Sequence, residues 1–160
     1  MHESLVPVLA EFGAAMHVAQ RLEYGLTLLL AFAAKYDEAS ISRAEVEDPF
    51  DRDAERTLGE LFHRVRKKEY LTRAEQKIIR KAVKERNILV HRYLIDKGEL
   101  MLTPEGRSEL IGDIIRIRKN LQSADRIVES LVDRYLEEHD TTVDEITEQW
   151  DSLWVPDSAS

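Results

Sequence analysis

The chain has 160 residues, no cysteine and a formal net charge of −8; 43% of its residues are hydrophobic and 34% are charged. That balance fits one folded domain and excludes a disordered chain. The missing cysteines remove disulfides, thiolate metal sites and a cysteine nucleophile together, and they fit a reducing compartment. The acidic total argues against a general nucleic-acid coat. With no basic leader at Met1–Ser4 and no apolar run long enough to span a bilayer, a cytoplasmic protein without a membrane partner is expected.

In chain order, apolar residues at helical spacing (Leu5, Leu9, Phe12, Met16, Ala19, Leu26, Leu29, Leu30 and Ala33) predict a first helix from about Leu5 to Tyr36. Gly13 and Gly25 weaken its continuity. Asp37 to Phe50 reads as a loop, with Pro49 against a helix interior and one capped turn at Ser42–Glu45. Leu58, Leu61, Phe62 and Val65 form the stripe of a second helix over Asp51–Lys68. Thr72 and Glu75 have capping-box spacing and open a third helix running to about Ile95, stopped by Asp96-Lys97-Gly98-Glu99. Thr103-Pro104 starts a fourth, with a hydroxyl cap before proline at the first helical position. Its inner side, from Leu110 through Ile114, Ile117, Leu121, Ala124, Val128 and Leu131 to Tyr135, extends to about His139. Thr142–Trp150 suggests a short last helix, with Trp150 and Trp154 pinning the tail and residues 156–160 loose. The expected fold is all-α, an up-down bundle of four to five helices over residues 1–140, followed by a short helix and tail over 141–160.

Charge is unevenly distributed. Phe62–Arg92 carries 11 Lys+Arg against 3 Asp+Glu, whereas Asp125–Ser160 carries 2 against 11. The basic segment is either an ordinary solvated helix face or a phosphate-attracting patch on an acidic protein. Within it, Arg86-Asn87-Ile88-Leu89-Val90-His91 breaks the core pattern. On a wheel with Ile79 at zero and about 100° per residue, the inward face holds Val90, Val83, Leu94, Tyr93, Ala82, Leu89 and Ile78. Arg86 falls at about 340°, in the middle of that face; Asn87 at about 80° and His91 at about 120° lie on its shoulder with Arg80 and Lys84. A guanidinium is costly to bury without a partner. Arg86 therefore either pairs with an acid such as Glu23, snorkels to the surface, or opens into a cleft. Ile88, at about 180° on the nominally wet face, suggests that a second side of this helix is covered.

Arginine, asparagine and histidine on one helix suit phosphoryl transfer within RNA. The ribose 2′-hydroxyl is a nucleophile that DNA lacks. Histidine moves a proton near neutral pH, and an arginine fork stabilises the phosphoryl charge of the transition state. Asn87 would orient either partner. Arg80, Lys84 and Tyr93 are the candidate substrate contacts. One histidine is little for both acid and base work; a two-fold homodimer apposing two third helices would supply two. No glycine-rich phosphate loop is present. His17 and His63 have no carboxylates at ligand spacing, so neither cofactor nor metal is expected. Glu137-Glu138-His139-Asp140 reads as a solvated helix end.

The segment resembles the arginine–polar–three residues–histidine motif of the HEPN superfamily, carried here by Arg86, Asn87 and His91. The resemblance in layout covers roughly Leu5 to Glu138, and its specific part is the motif. It implies a helical bundle that dimerises with its motif helices lining a shared cleft. It also implies a metal-independent ribonuclease of a toxin–antitoxin or anti-phage system, with Arg86 and His91 catalytic and Asn87 their polar companion. Tyr93, two residues after the histidine, matches a position that some such toxins present to a nucleotidyltransferase antitoxin. Other members of the superfamily are non-catalytic modules that bind RNA, nucleotide or protein.

Overall fold

The computed structural model describes residues 5–37, 54–68 and 70–153, except for the side chains of 54–57 and 60. Every regular element among them is helical: α1 (Val6–Tyr36), α2 (Ala54–Lys67), α3 (Arg73–His91), α4 (Tyr93–Asp96), a 3₁₀ turn (Gly98–Leu102), α5 (Pro104–Glu138), α6 (Val143–Glu148) and a second 3₁₀ turn (Trp150–Ser152). No strand occurs among the described residues, and none of their helices is long and apolar enough to cross a membrane. The loop expected beyond Asp37, the turn at Ser42–Glu45, Trp154 and residues 156–160 lie outside the described residues.

The helix signals act where the sequence places them. Thr72 N–H donates to Glu75 Oε2 (2.8 Å) while Glu75 N–H donates to Thr72 Oγ1 (3.2 Å), the reciprocal box that starts α3. Thr142 and Glu145 repeat it at α6. Thr103 Oγ1 accepts from Gly106 N–H at 3.0 Å, capping α5 one residue before its proline. α1 runs unbroken through Gly13 and Gly25, correcting the expected weakness. At Gly25 a Cβ would stand 2.6 Å from Val128 Cγ1, so glycine admits the close approach of α5. The third helix is interrupted earlier than expected: α3 ends at His91, Arg92 adopts φ −134°, ψ −20°, and α4 supplies one further turn.

The chain divides into two compact units, and α1, α3 and α5 each contribute to both. The first comprises Met1–Leu22 and Lys77–Arg126. Its core takes Val8, Ala15, Val18 and Leu22 from α1, Ile79, Ala82, Val83 and Leu89 from α3, Tyr93 from α4, and Leu110, Ile114, Ile117 and Leu121 from α5. The expected stripe in this part of α1 holds at Ala19, which is buried, but is off register before it. Leu9 is 53% exposed, and Phe12 and Met16 are half-buried, while Val8, Ala15 and Val18 face inward. Ile78, expected inside, is exposed.

The second unit comprises Glu23–Gln76 and Ile127–Ser160. Leu26 and Leu28–Ala33 of α1, the predicted stripe of α2, Val128, Leu131 and Tyr135 of α5, and Ile146 of α6 are buried in it. Phe32 stacks on Tyr135, with ring centroids 5.3 Å apart. His139, read as part of a solvated helix end, is half-buried instead: its ring lies on Tyr36 at 3.6 Å and 6°. Glu137, Glu138 and Asp140 are exposed as expected, and Glu138 accepts from the Tyr70 hydroxyl at 2.8 Å.

Candidate functional site

α3 carries the atypical segment in the first unit. Its buried residues Ile79, Ala82, Val83 and Leu89 define the inward face, and Arg86 projects from the centre of that face. A long side chain can leave such a position by running its methylenes along apolar surface and carrying its head outward. Arg86 is half-buried accordingly, and its Nη1 donates to Asn87 Oδ1 at 3.1 Å. The arginine is neither sealed in the core nor free in solvent. Its guanidinium is oriented by the next residue in the chain.

Asn87 is half-buried, and His91, one helical turn later, is exposed. His91 lines a shallow groove of about 110 Å³ with Phe12, Val90, Arg92, Tyr93, Leu94 and Ile95. Arg86 and Asn87 are not among the residues lining that groove. Of the candidate substrate contacts, Lys84 is exposed and Arg80 half-buried. Tyr93 is 2% exposed, its ring near that of Phe12 (centroids 6.5 Å apart).

A polar network on the other flank of α3 was not anticipated. The Tyr93 hydroxyl donates to Asp113 Oδ2 at 2.8 Å, and Lys97 Nζ reaches the same oxygen at 2.7 Å. Arg116 bridges Asp113 Oδ1 and Glu85 Oε1, each at 2.8 Å. Asn120 Nδ2 donates to both oxygens of Glu85. With Ile88 and Ile117, these side chains border a cavity of about 270 Å³. Burial opposes ionisation of Asp113, but hydrogen bonds from Lys97, Arg116 and Tyr93 outweigh it and hold the carboxyl at about 2. Burial and the hydrogen bond to that carboxylate push the Tyr93 hydroxyl well above its usual value. Tyr93 therefore remains a neutral donor at ordinary pH. The i,i+3 spacing of Asp113 and Arg116 was visible in the sequence; their convergence with Glu85 and Tyr93 needed the fold.

Among the described residues, no group of three or more His, Asp or Glu side chains is placed to hold a metal ion. Chemically, the α3 segment offers an oriented guanidinium, an amide and an exposed imidazole within two turns of one helix. No family model, curated protein or solved structure matches this chain.

Proposed function

We propose that the chain is a metal-independent endoribonuclease of HEPN type that works as a homodimer. The observation that carries the reading is the Arg86–Asn87 hydrogen bond, which joins a half-buried guanidinium to the polar side chain one turn before the exposed His91. In the proposed reaction the 2′-hydroxyl of RNA attacks the adjacent phosphorus and the P–O5′ bond breaks. The products are a 2′,3′-cyclic phosphate and a 5′-hydroxyl end. One His91 removes the 2′ proton and another protonates the leaving oxygen. Arg86 stabilises the charge that builds on the phosphoryl oxygens, while Arg80 and Lys84 attract the RNA backbone.

In this reading a second copy of the chain completes the site. On one helix, Arg86 and His91 diverge by about 140°, so the two groups of a single chain do not converge on one atom. Ile88, 52% exposed between Lys84 and His91, offers an apolar seat for the apposed helix. Under this reading the protein belongs to a toxin–antitoxin or anti-phage defence pair, with an antitoxin or another defence protein as its partner.

The test is cleavage of a mixed RNA pool by wild type, Arg86→Ala and His91→Ala, in the presence of EDTA and with the ends mapped. Wild type is expected to leave cyclic phosphates. Each variant should lose at least a hundredfold in rate while keeping its helical circular dichroism and its dimer. Undiminished cleavage in both variants, or none by wild type, rejects the proposal.

The groove beside His91, which Arg92 also lines and Arg86 does not, favours a second reading: a non-catalytic module of the same type that binds RNA, nucleotide or protein. It predicts calorimetric binding that weakens in Arg86→Ala without any turnover.

A further inference from the structure

The side chains that tie α3 and α4 to α5 stand on both sides of the Arg86–His91 segment and meet on one carboxylate. On the near side, Glu85 immediately precedes Arg86. Its Oε1 accepts from Arg116 Nη1 at 2.8 Å, and Arg116 Nη2 donates to Asp113 Oδ1 at 2.8 Å. On the far side, Tyr93 follows His91 by two residues. Its hydroxyl donates to Asp113 Oδ2 at 2.8 Å, and Lys97 Nζ reaches the same oxygen at 2.7 Å. All of these residues belong to the first unit.

The far side needs such an anchor. α3 ends at His91, Arg92 leaves helical geometry at φ −134°, and α4 is four residues long. A single helical turn does not hold itself in water, because it fixes several dihedral angles for one hydrogen bond. The pair of Arg92 with Asp96 is exposed and contributes little. Tyr93 opens the turn and Lys97 caps its end, and both are bonded to the same oxygen of Asp113. The exposed His91 stands directly before the break, so the anchored turn determines where the helix end carries its imidazole.

We propose that Asp113 is a positioning residue for the α3 segment: its carboxylate, through Arg116 and Glu85 on one side and Tyr93 and Lys97 on the other, fixes the helix end that presents His91. The inference rests on the ribonuclease reading, in which the placement of that imidazole sets the rate. Asp113 is hydrogen-bonded to neither Arg86 nor His91 and acts through its partners. Both of its oxygens are needed. Asparagine has the same shape but one acceptor oxygen, and its amide nitrogen only donates, so it can serve one side and not both.

Asp113→Asn and Val18→Ala test the assignment on the full chain, by hydrogen–deuterium exchange and by cleavage kinetics. Val18 is buried in α1 of the same unit, so its truncation lowers stability without removing any hydrogen bond of the network. In Asp113→Asn the amides of residues 91–97 should exchange at least tenfold faster than in wild type; in Val18→Ala they should not. The kinetics use a short RNA spanning one mapped cut, at a temperature where circular dichroism shows all three proteins folded. Asp113→Asn should lower kcat at least tenfold with KM within twofold, since Asp113 holds no phosphate in the proposed reaction. Val18→Ala should keep the wild-type kcat, which separates positioning from loss of stability. Unchanged exchange over residues 91–97 in Asp113→Asn overturns the proposal, as does a wild-type kcat in that variant, or an equal effect in Val18→Ala. If wild type cuts no RNA, the ribonuclease reading falls, and the exchange rates still decide whether Asp113 holds the helix end.

Discussion

Asp113 is a hub for three donors, and its ionisation is linked to folding. The carboxyl sits at about 2 in the folded chain against an ordinary value of 3.8. A depressed value means the carboxylate stabilises the fold above the unfolded value and loses that contribution as pH falls through the folded one. The linked energy is on the order of 2 kcal/mol, and with the side chain only 21% exposed, solvent screening removes little of it. Asp113→Asn should therefore lower the unfolding free energy by about that amount at pH 7. In urea denaturation the gap between variant and wild type should narrow steadily from pH 4 to pH 2; a gap independent of pH would mean that Asp113 acts by packing alone. Tyr93→Phe keeps the ring against Phe12 and removes one donor. It is expected to cost about 1 kcal/mol, with a smaller narrowing in acid, because this donor also helps to keep Asp113 ionised.

At the scale of elements, Gly106 in the first turn of α5 is the sharpest steric constraint. A Cβ there would stand 2.2 Å from the backbone oxygen of Leu100, which cannot move as a flexible side chain can. Gly106→Ala should push the 3₁₀ turn off the start of α5 and cost about 1–3 kcal/mol, visible as a lower thermal midpoint. Gly112 is the matched control: a Cβ there meets nothing within 4 Å, so Gly112→Ala should be neutral or slightly stabilising. If Gly106→Ala melted with wild type, the constraint would not exist in solution. The reason Gly106 escaped notice is the same reason much of the fold did not: caps and long stripes are local, but close approaches are not. Thr72–Glu75, Thr103–Pro104 and the stripe from Leu110 to Tyr135 depend on spacing along one helix and could be read directly. The register of α1 could not, because its flank is also apolar and only packing distinguishes Val8 from Leu9. The candidate site divides in the same way. The inward direction of Arg86 and the place of His91 on the shoulder of that face follow from periodicity, but the network of Tyr93, Asp113, Arg116 and Glu85 joins residues up to 31 positions apart across a pair.

At the scale of the whole molecule, the acidic total conceals a strongly basic stretch, and salt dependence can determine whether that stretch meets RNA. Lys and Arg exceed Asp and Glu by eight over Phe62–Arg92, whereas the chain as a whole is at −8. If the exposed face of α3 tracks an RNA backbone, each contacted phosphate releases condensed counterions. The logarithm of the binding constant then falls with the logarithm of salt by about 0.7 per phosphate for a single strand. Binding should be measured on His91→Ala, so that the RNA stays intact. Removing the exposed Lys84 with a glutamine, or Arg80 likewise, should make the slope shallower by about 0.7 each. The double change should remove about twice that, since the two side chains contact different phosphates. Lys119→Gln alters net charge by the same amount on α5 and should leave the slope alone. This comparison separates a located contact from the general field of the protein, because the field responds to net charge and the slope to contacted phosphates. A slope equal in all five proteins, the His91→Ala parent and its four derivatives, would mean that the basic face of α3 is solvated surface and that RNA is held elsewhere.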